Sequence, residues 1–311
     1  MFDAPATKPQ SVGDLIGRAF RFYRINVPLV MQILMWPTVI SIAGKVAMQW
    51  GFATIARKEW AAIIPAGTAI GIGWIVTVIA IFYLTIRQLA LVRIANGFSE
   101  NFKEAYDFLH KRIWVIILLM LLGYLIACAA IGVWLVEMVL CALLFKAGTA
   151  MIVVGSVGFL IGIFGMTVSV LIFWLVGLVV LAVVACEDRG IGSVISRGFS
   201  LPMRDFGRTL LLGLLLFITV SALSYPLSLP AVGITFFEFF RHGMSAEHMT
   251  DPSKMPMYVL VLTQAWESLV NMLLWPVTWL TYGLFYYDLR VRQEGLDVLQ
   301  NLRLLEQRSA S

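Results

Sequence analysis

Six long stretches of the chain carry no charged residue: Ile25 to Gly44, Ala61 to Ile86, Ile113 to Val136, Ala147 to Cys186, Thr209 to Phe237 and Ser268 to Tyr287. Each reaches the roughly 20 residues that a membrane-spanning helix needs. Their Leu, Ile and Val residues run continuously, without the apolar–polar alternation of barrel strands. A backbone in lipid must satisfy its own hydrogen bonds, so the pattern predicts helices. The expected fold class is all-α: a polytopic membrane helical bundle of about six transmembrane helices. The fourth stretch holds 40 uncharged residues. At about 1.5 Å per residue it would make a helix of about 60 Å, twice the hydrocarbon core. Two spans and a turn would hardly fit into that length, so one long, tilted or protruding helix is expected.

Between the spans the pattern changes to apolar residues interleaved with Arg and Lys, as in amphipathic helices at a membrane interface. Three such segments, 14–26, 101–112 and 194–208, each carry a small residue followed by an aromatic: Ala19-Phe20, Ala105-Tyr106 and Gly198-Phe199. The offsets of 86 and 93 residues predict a threefold helical-hairpin repeat, with units 11–97, 98–190 and 191–290. Ser11 and Asp14 have the spacing of a capping box at the start of the first unit. Arg18, Phe20, Arg21, Arg24, Tyr106, Lys111, Arg112, Arg197, Phe199, Arg204 and Arg208 are the expected interfacial residues. Their aromatics would lie toward acyl chains and their cations toward headgroups. A fourth interfacial helix is expected over 291–305, after the last span.

Composition agrees with a single integral membrane domain over 1–311. Of 311 residues, 60% are hydrophobic and 13% charged, about half the charged share of a soluble domain. Net charge is +5, but its placement says more than its sum. The six-span reading puts Lys8, Arg18, Arg21, Arg24, Arg87, Arg93, Lys103, Lys111, Arg112, Arg189, Arg197, Arg204, Arg208, Arg290, Arg292, Arg303 and Arg308 on one side, 17 of the 23 basic residues. The positive-inside rule makes that side cytoplasmic, with both termini there and the chain in the inner membrane. Met1 to Gln10 is polar and does not read as a cleaved signal peptide, so the first span is expected to stay.

Candidate chemistry is sparse. Cys128, Cys141 and Cys186 match neither a C-x-x-C motif nor a zinc spacing and read as buried free thiols. His242, Glu247 and His248 share one loop and offer imidazole with carboxylate, but in no metalloprotease spacing, so no metal is expected. His110, between apolar residues and Lys111, reads as interfacial. No nucleotide loop, haem motif or iron–sulfur pattern occurs, so no cofactor is expected, and nothing points to nucleic acid. Ionisable groups at membrane depth carry more weight. Lys45 and Glu137 fall near the outer ends of their spans and read as snorkelling. Glu267 shares helical spacing with Gln264 and Asn271, a stripe that either packs helices together or lines a polar cavity. Trp36-Pro37, Trp275-Pro276, Pro226 and Pro230 put proline in or near spans, where it kinks helices. Gly67-x-x-x-Gly71 and Gly158-x-x-x-Gly162 have the spacing of close helix contacts. These readings favour a non-catalytic scaffold, assembly factor or subunit of a membrane complex. The alternative is a transporter or lipid-handling protein with a polar site in the last span. The expected partners are the lipid bilayer and other protein chains or further copies of this one.

The opening Ser11-Val12-Gly13-Asp14-Leu15-Ile16-Gly17-Arg18-Ala19-Phe20-Arg21-Phe22-Tyr23-Arg24 and the ending Tyr286-Tyr287-Asp288-Leu289-Arg290-Val291-Arg292-Gln293-Glu294-Gly295-Leu296-Asp297, together with Glu187 to Arg208, resemble a known family. It is the bacterial membrane domain named after glycerophosphoryl diester phosphodiesterase. In some bacteria that domain precedes a phosphodiesterase barrel, but many members stand alone. The resemblance therefore implies a membrane protein and no enzyme. A phosphodiesterase barrel needs His and carboxylate pairs on a soluble scaffold, which three His and no soluble domain do not provide.

Overall fold

The computed structural model describes residues 9–57, 60–144, 149–241 and 256–295. Among these residues the secondary structure is helical throughout: α1 (Val12–Ile25), α2 (Val27–Ala56), a 3-10 turn (Trp60–Ala62), α3 (Ile63–Ala95), α4 (Phe102–Lys111), α5 (Ile113–Leu144), α6 (Thr149–Cys186), α7 (Ile191–Arg204), α8 (Phe206–Arg241) and α9 (Met257–Glu294). Six of them, α2, α3, α5, α6, α8 and α9, are long and apolar enough to cross a membrane. The fourth uncharged stretch is one unbroken helix of 38 residues. The helices also continue through Pro37, Pro226, Pro230 and Pro276.

The element order reads short, long, long three times over. Each short helix ends at a single non-helical residue, Asn26, Arg112 or Asp205, seven positions after Ala19, Ala105 and Gly198 respectively. Each break has its own chemistry. At the first, the Asn26 side chain donates to the Phe22 carbonyl at 2.8 Å and Pro28 opens the next helix, where its missing N–H is not needed. At the third, the Asp205 carbonyl accepts from the Thr209 N–H at 3.0 Å. The small residues serve packing. Ala19 and Ala105 are fully buried, and a Cβ on Gly198 would lie 2.6 Å from the Val180 backbone. At the start of α1, the Ser11 hydroxyl accepts from the Asp14 N–H at 3.2 Å, and the Asp14 carboxylate accepts from the Ser11 N–H at 3.4 Å. This is the capping box that the sequence predicts.

Contacts divide the chain into two compact units. The first comprises Gln10–Tyr106 and Leu214–Leu284, the second Asp107–Gly213 and the stretch from Phe285 onward. In the first, α2 and α3 cross so closely that a Cβ on Gly73 would stand 2.5 Å from the Gly44 carbonyl oxygen, and one on Gly51 2.6 Å from that of Ala66. The Arg87 guanidinium ties the pair by donating to the Ile33 carbonyl. In the second, α5 packs on α6 and α7 on α6. One boundary needs correction. Val291 to Glu294 do not begin a separate interfacial helix but complete α9, which stops at Gly295 with φ +62°. That left-handed conformation suits glycine and ends the helix. The rest of 291–305 lies outside the described residues.

Candidate functional site

In the first unit, α2, α3 and α9 enclose a cavity of about 310 Å³. Each helix contributes side chains at helical spacing: Thr38, Ser41 and Lys45 from α2; Ile81, Leu84, Thr85 and Gln88 from α3; Ser268, Asn271, Met272, Trp275 and Trp279 from α9. Two of the hydroxyls are used locally, Thr38 bonding back to the Leu34 carbonyl at 2.8 Å and Thr85 to that of Ile81 at 2.9 Å. Lys45 is not. Its half-buried ammonium turns inward and stands 3.5 Å from the Ser268 hydroxyl, at the limit of a hydrogen bond. From there a polar chain runs on: Gln264 donates to Ser268 at 3.4 Å, and Gln49 donates to Gln264 at 3.3 Å.

Among the described residues that line this cavity, none is a carboxylate. Trp279, which also lines it, is 94% buried, and its indole N–H has no acceptor among the described residues. The cavity thus holds a cation met only by neutral polar groups, beside a buried donor without an acceptor among the described residues; both favour an anionic acceptor.

Of the sequence-predicted stripe, Asn271 lines the cavity and Gln264 reaches it through Ser268. Glu267 does neither. Its side chain is exposed on the flank of α9, because the cavity-lining positions 268, 271, 272, 275 and 279 centre roughly 95° away from position 267 at about 100° per residue. The residue that the sequence reading missed is Lys45, read there as snorkelling.

The second unit gathers charges from the ends of its helices into internal pairs. Glu187, at the end of α6, is buried and receives Arg189 at 2.5 Å, Arg197 at 3.1 Å and Arg290 at 3.2 Å, together with the Tyr286 hydroxyl. Glu294 pairs with Arg197 and, at 3.0 Å, with Arg290. Asp288 holds Arg208 at 2.7 Å and Arg292 at 3.0 Å. Arg112 is buried, donating to the carbonyls of Val184 at 3.2 Å, Glu187 and Arg189. It thereby caps the C-terminus of α6, where the helix dipole favours a cation. Arg112, Arg197 and Arg208, expected to face headgroups, thus engage protein groups. Arg21, Arg24, Lys111, Arg204 and Phe199 are exposed, while Arg18, Phe20 and Tyr106 are half-buried. This network joins the segments Glu187 to Arg208 and Tyr286 to Glu294.

Within the α5–α6 hairpin, Gly158 and Gly162 make room for the side chains of Cys141 and Glu137. The Cys141 thiol lies 3.3 Å from a Glu137 carboxylate oxygen. Gly67 and Gly71 have open space beside them, so only one of the two glycine pairs seats a neighbour. None of the three cysteines forms a disulfide; Cys186 is buried as expected, whereas Cys141 is half-buried and Cys128 exposed. The His242, Glu247 and His248 loop lies outside the described residues; among those described, no three His, Cys, Asp or Glu side chains come together as a metal site.

The fold defines the chain as an all-α, multi-pass integral membrane protein. Comparison with protein-family models, with curated proteins and with solved structures finds no match. The likeness to the membrane domain named after glycerophosphoryl diester phosphodiesterase therefore rests on the quoted residues alone.

Proposed function

We propose that the protein is a non-catalytic lipid-handling or transport protein whose α2–α3–α9 cavity receives a singly charged anionic amphiphile. The supporting observation is Lys45: an ammonium turned into a cavity between three candidate spans that no carboxylate lines among the described residues. A charge held in such a place costs several kcal/mol unless a partner meets it. A carboxylate or phosphate head would pair with Lys45 and accept from Trp279, while Ile81, Leu84 and Met272 line the apolar part. The volume, about 310 Å³, lies at the lower end of ligand pockets, which favours a single-chain ligand over a bulky one.

Binding of oleate, oleyl alcohol and oleylamine to the purified chain tests this. Oleate should bind best, and Lys45→Met should weaken it about 10- to 100-fold, the worth of one charge-assisted hydrogen bond. Equal binding of oleate by the variant would defeat the reading. The scaffold or complex-subunit role would then take its place, to be tested by isolating a stoichiometric partner in mild detergent.

A further inference from the structure

A second space in the first unit lies beside α1 and has a different character. It measures about 620 Å³, with Arg21, Tyr23 and Arg24 on its α1 side and Leu223, Leu227 and Leu273 from α8 and α9 on the other. Arg21 and Arg24 are exposed cations one turn apart on the same face of the helix. No carboxylate lines the groove among the described residues; Asp14, the acidic residue of α1, is engaged in the capping box. Tyr23 adds an independent sign, since its hydroxyl is buried without a hydrogen-bond partner among the described residues. Burial also pushes the Tyr23 phenol up, so it remains a protonated donor. Gly17 opens the floor, with nothing within 4 Å of where a side chain would begin. The Trp266 indole, donating to the Leu227 carbonyl at 2.6 Å, holds α8 to α9 along the apolar wall.

We infer that this groove is a selective site for an anionic phospholipid, its phosphate between Arg21 and Arg24 and one acyl chain along Leu223, Leu227 and Leu273. Charge complementarity decides the occupant. Any lipid can fill apolar space at an interface, but two unpaired guanidiniums and an orphaned phenol reward only one that carries anionic oxygens. The apolar wall excludes a free phosphate as the natural occupant, because such an ion leaves the leucines uncovered. The inference is independent of the Lys45 cavity.

Native mass spectrometry of the full chain, delipidated in mild detergent, tests it with phosphatidylglycerol and phosphatidylcholine of identical acyl chains. The wild type should retain phosphatidylglycerol with at least about 10-fold preference. Arg21→Gln with Arg24→Gln should abolish the preference while the chain still elutes as a folded species, since both side chains are exposed. Gly17→Leu, which meets no neighbour and improves helix propensity, should displace both lipids by filling the groove. Arg204→Gln, an exposed arginine near the end of α7, should leave the preference unchanged. If Arg204→Gln lowers the preference as much as the double substitution, the attraction is general surface charge and the site does not exist. Absence of any preference in the wild type overturns it equally.

Discussion

Replacing Arg112 by methionine removes a buried guanidinium that meets three carbonyls at the end of α6. Hydrogen bonds to charged groups contribute about 1.5–3 kcal/mol each, but part of that gain offsets the cost of burying the cation. Its ion pair with Asp188, at 3.6 Å, adds little, because that carboxylate is 84% exposed and screened by solvent. The stacking of Arg112 over Phe108 at 5.7 Å contributes roughly 0.5–1 kcal/mol. The net loss expected is on the order of 3–5 kcal/mol, the usual result of removing one partner from a buried charged contact. Cys186, buried at the end of α6, reports on it directly. With Cys128 and Cys141 changed to alanine, maleimide labelling of Cys186 in detergent measures local opening. Opening should rise more than about 100-fold in Arg112→Met, since 1.4 kcal/mol is tenfold. Arg112→Lys should recover part of this, keeping the charge but not the fork. Labelling within threefold of wild type in the methionine variant, with an unchanged melting temperature, would refute the reasoning.

Three further outcomes follow from the same geometry. Gly67→Ala and Gly71→Ala should each stabilise α3 by up to about 1 kcal/mol through helix propensity, whereas Gly73→Ala should destabilise it, its Cβ meeting backbone atoms of α2; thermal unfolding in detergent separates the signs. Glu187→Gln should lower stability by on the order of 3 kcal/mol, leaving Arg197, Arg290 and Arg189 without the carboxylate that they share, and a far smaller loss in a denaturant titration would show that the network holds little. Both termini should lie in the cytoplasm. A cysteine at Ser309 that reacts with an impermeant reagent in intact cells would reverse this orientation.

The six spans were legible because a bilayer imposes a length of about 20 apolar residues and forbids unpaired backbone, constraints that act on a segment by itself. The three short helices were legible for a related reason. Mixed Arg and apolar positions at helical spacing have one face for lipid and one for water, and the structure makes helices of all three. The spans differ. They are apolar all round, so the sequence contains no signal for how each helix is rotated about its axis. That rotation, fixed by close contacts such as Gly44 against Gly73, decides that Lys45 turns toward Ser268, 223 residues away, and that Glu267 stays on the flank. The charged segments show the same limit. Arg112, Arg197 and Arg208 read as headgroup contacts because their partners, Glu187, Asp288 and Glu294, are distant in sequence or looked equally like surface charge. Local pattern dictates which segments become helices and which of them are long and apolar enough to span a membrane; which cations meet carboxylates, carbonyls or a cavity is decided by long-range packing, because such pairings depend on distances that no stretch of sequence contains.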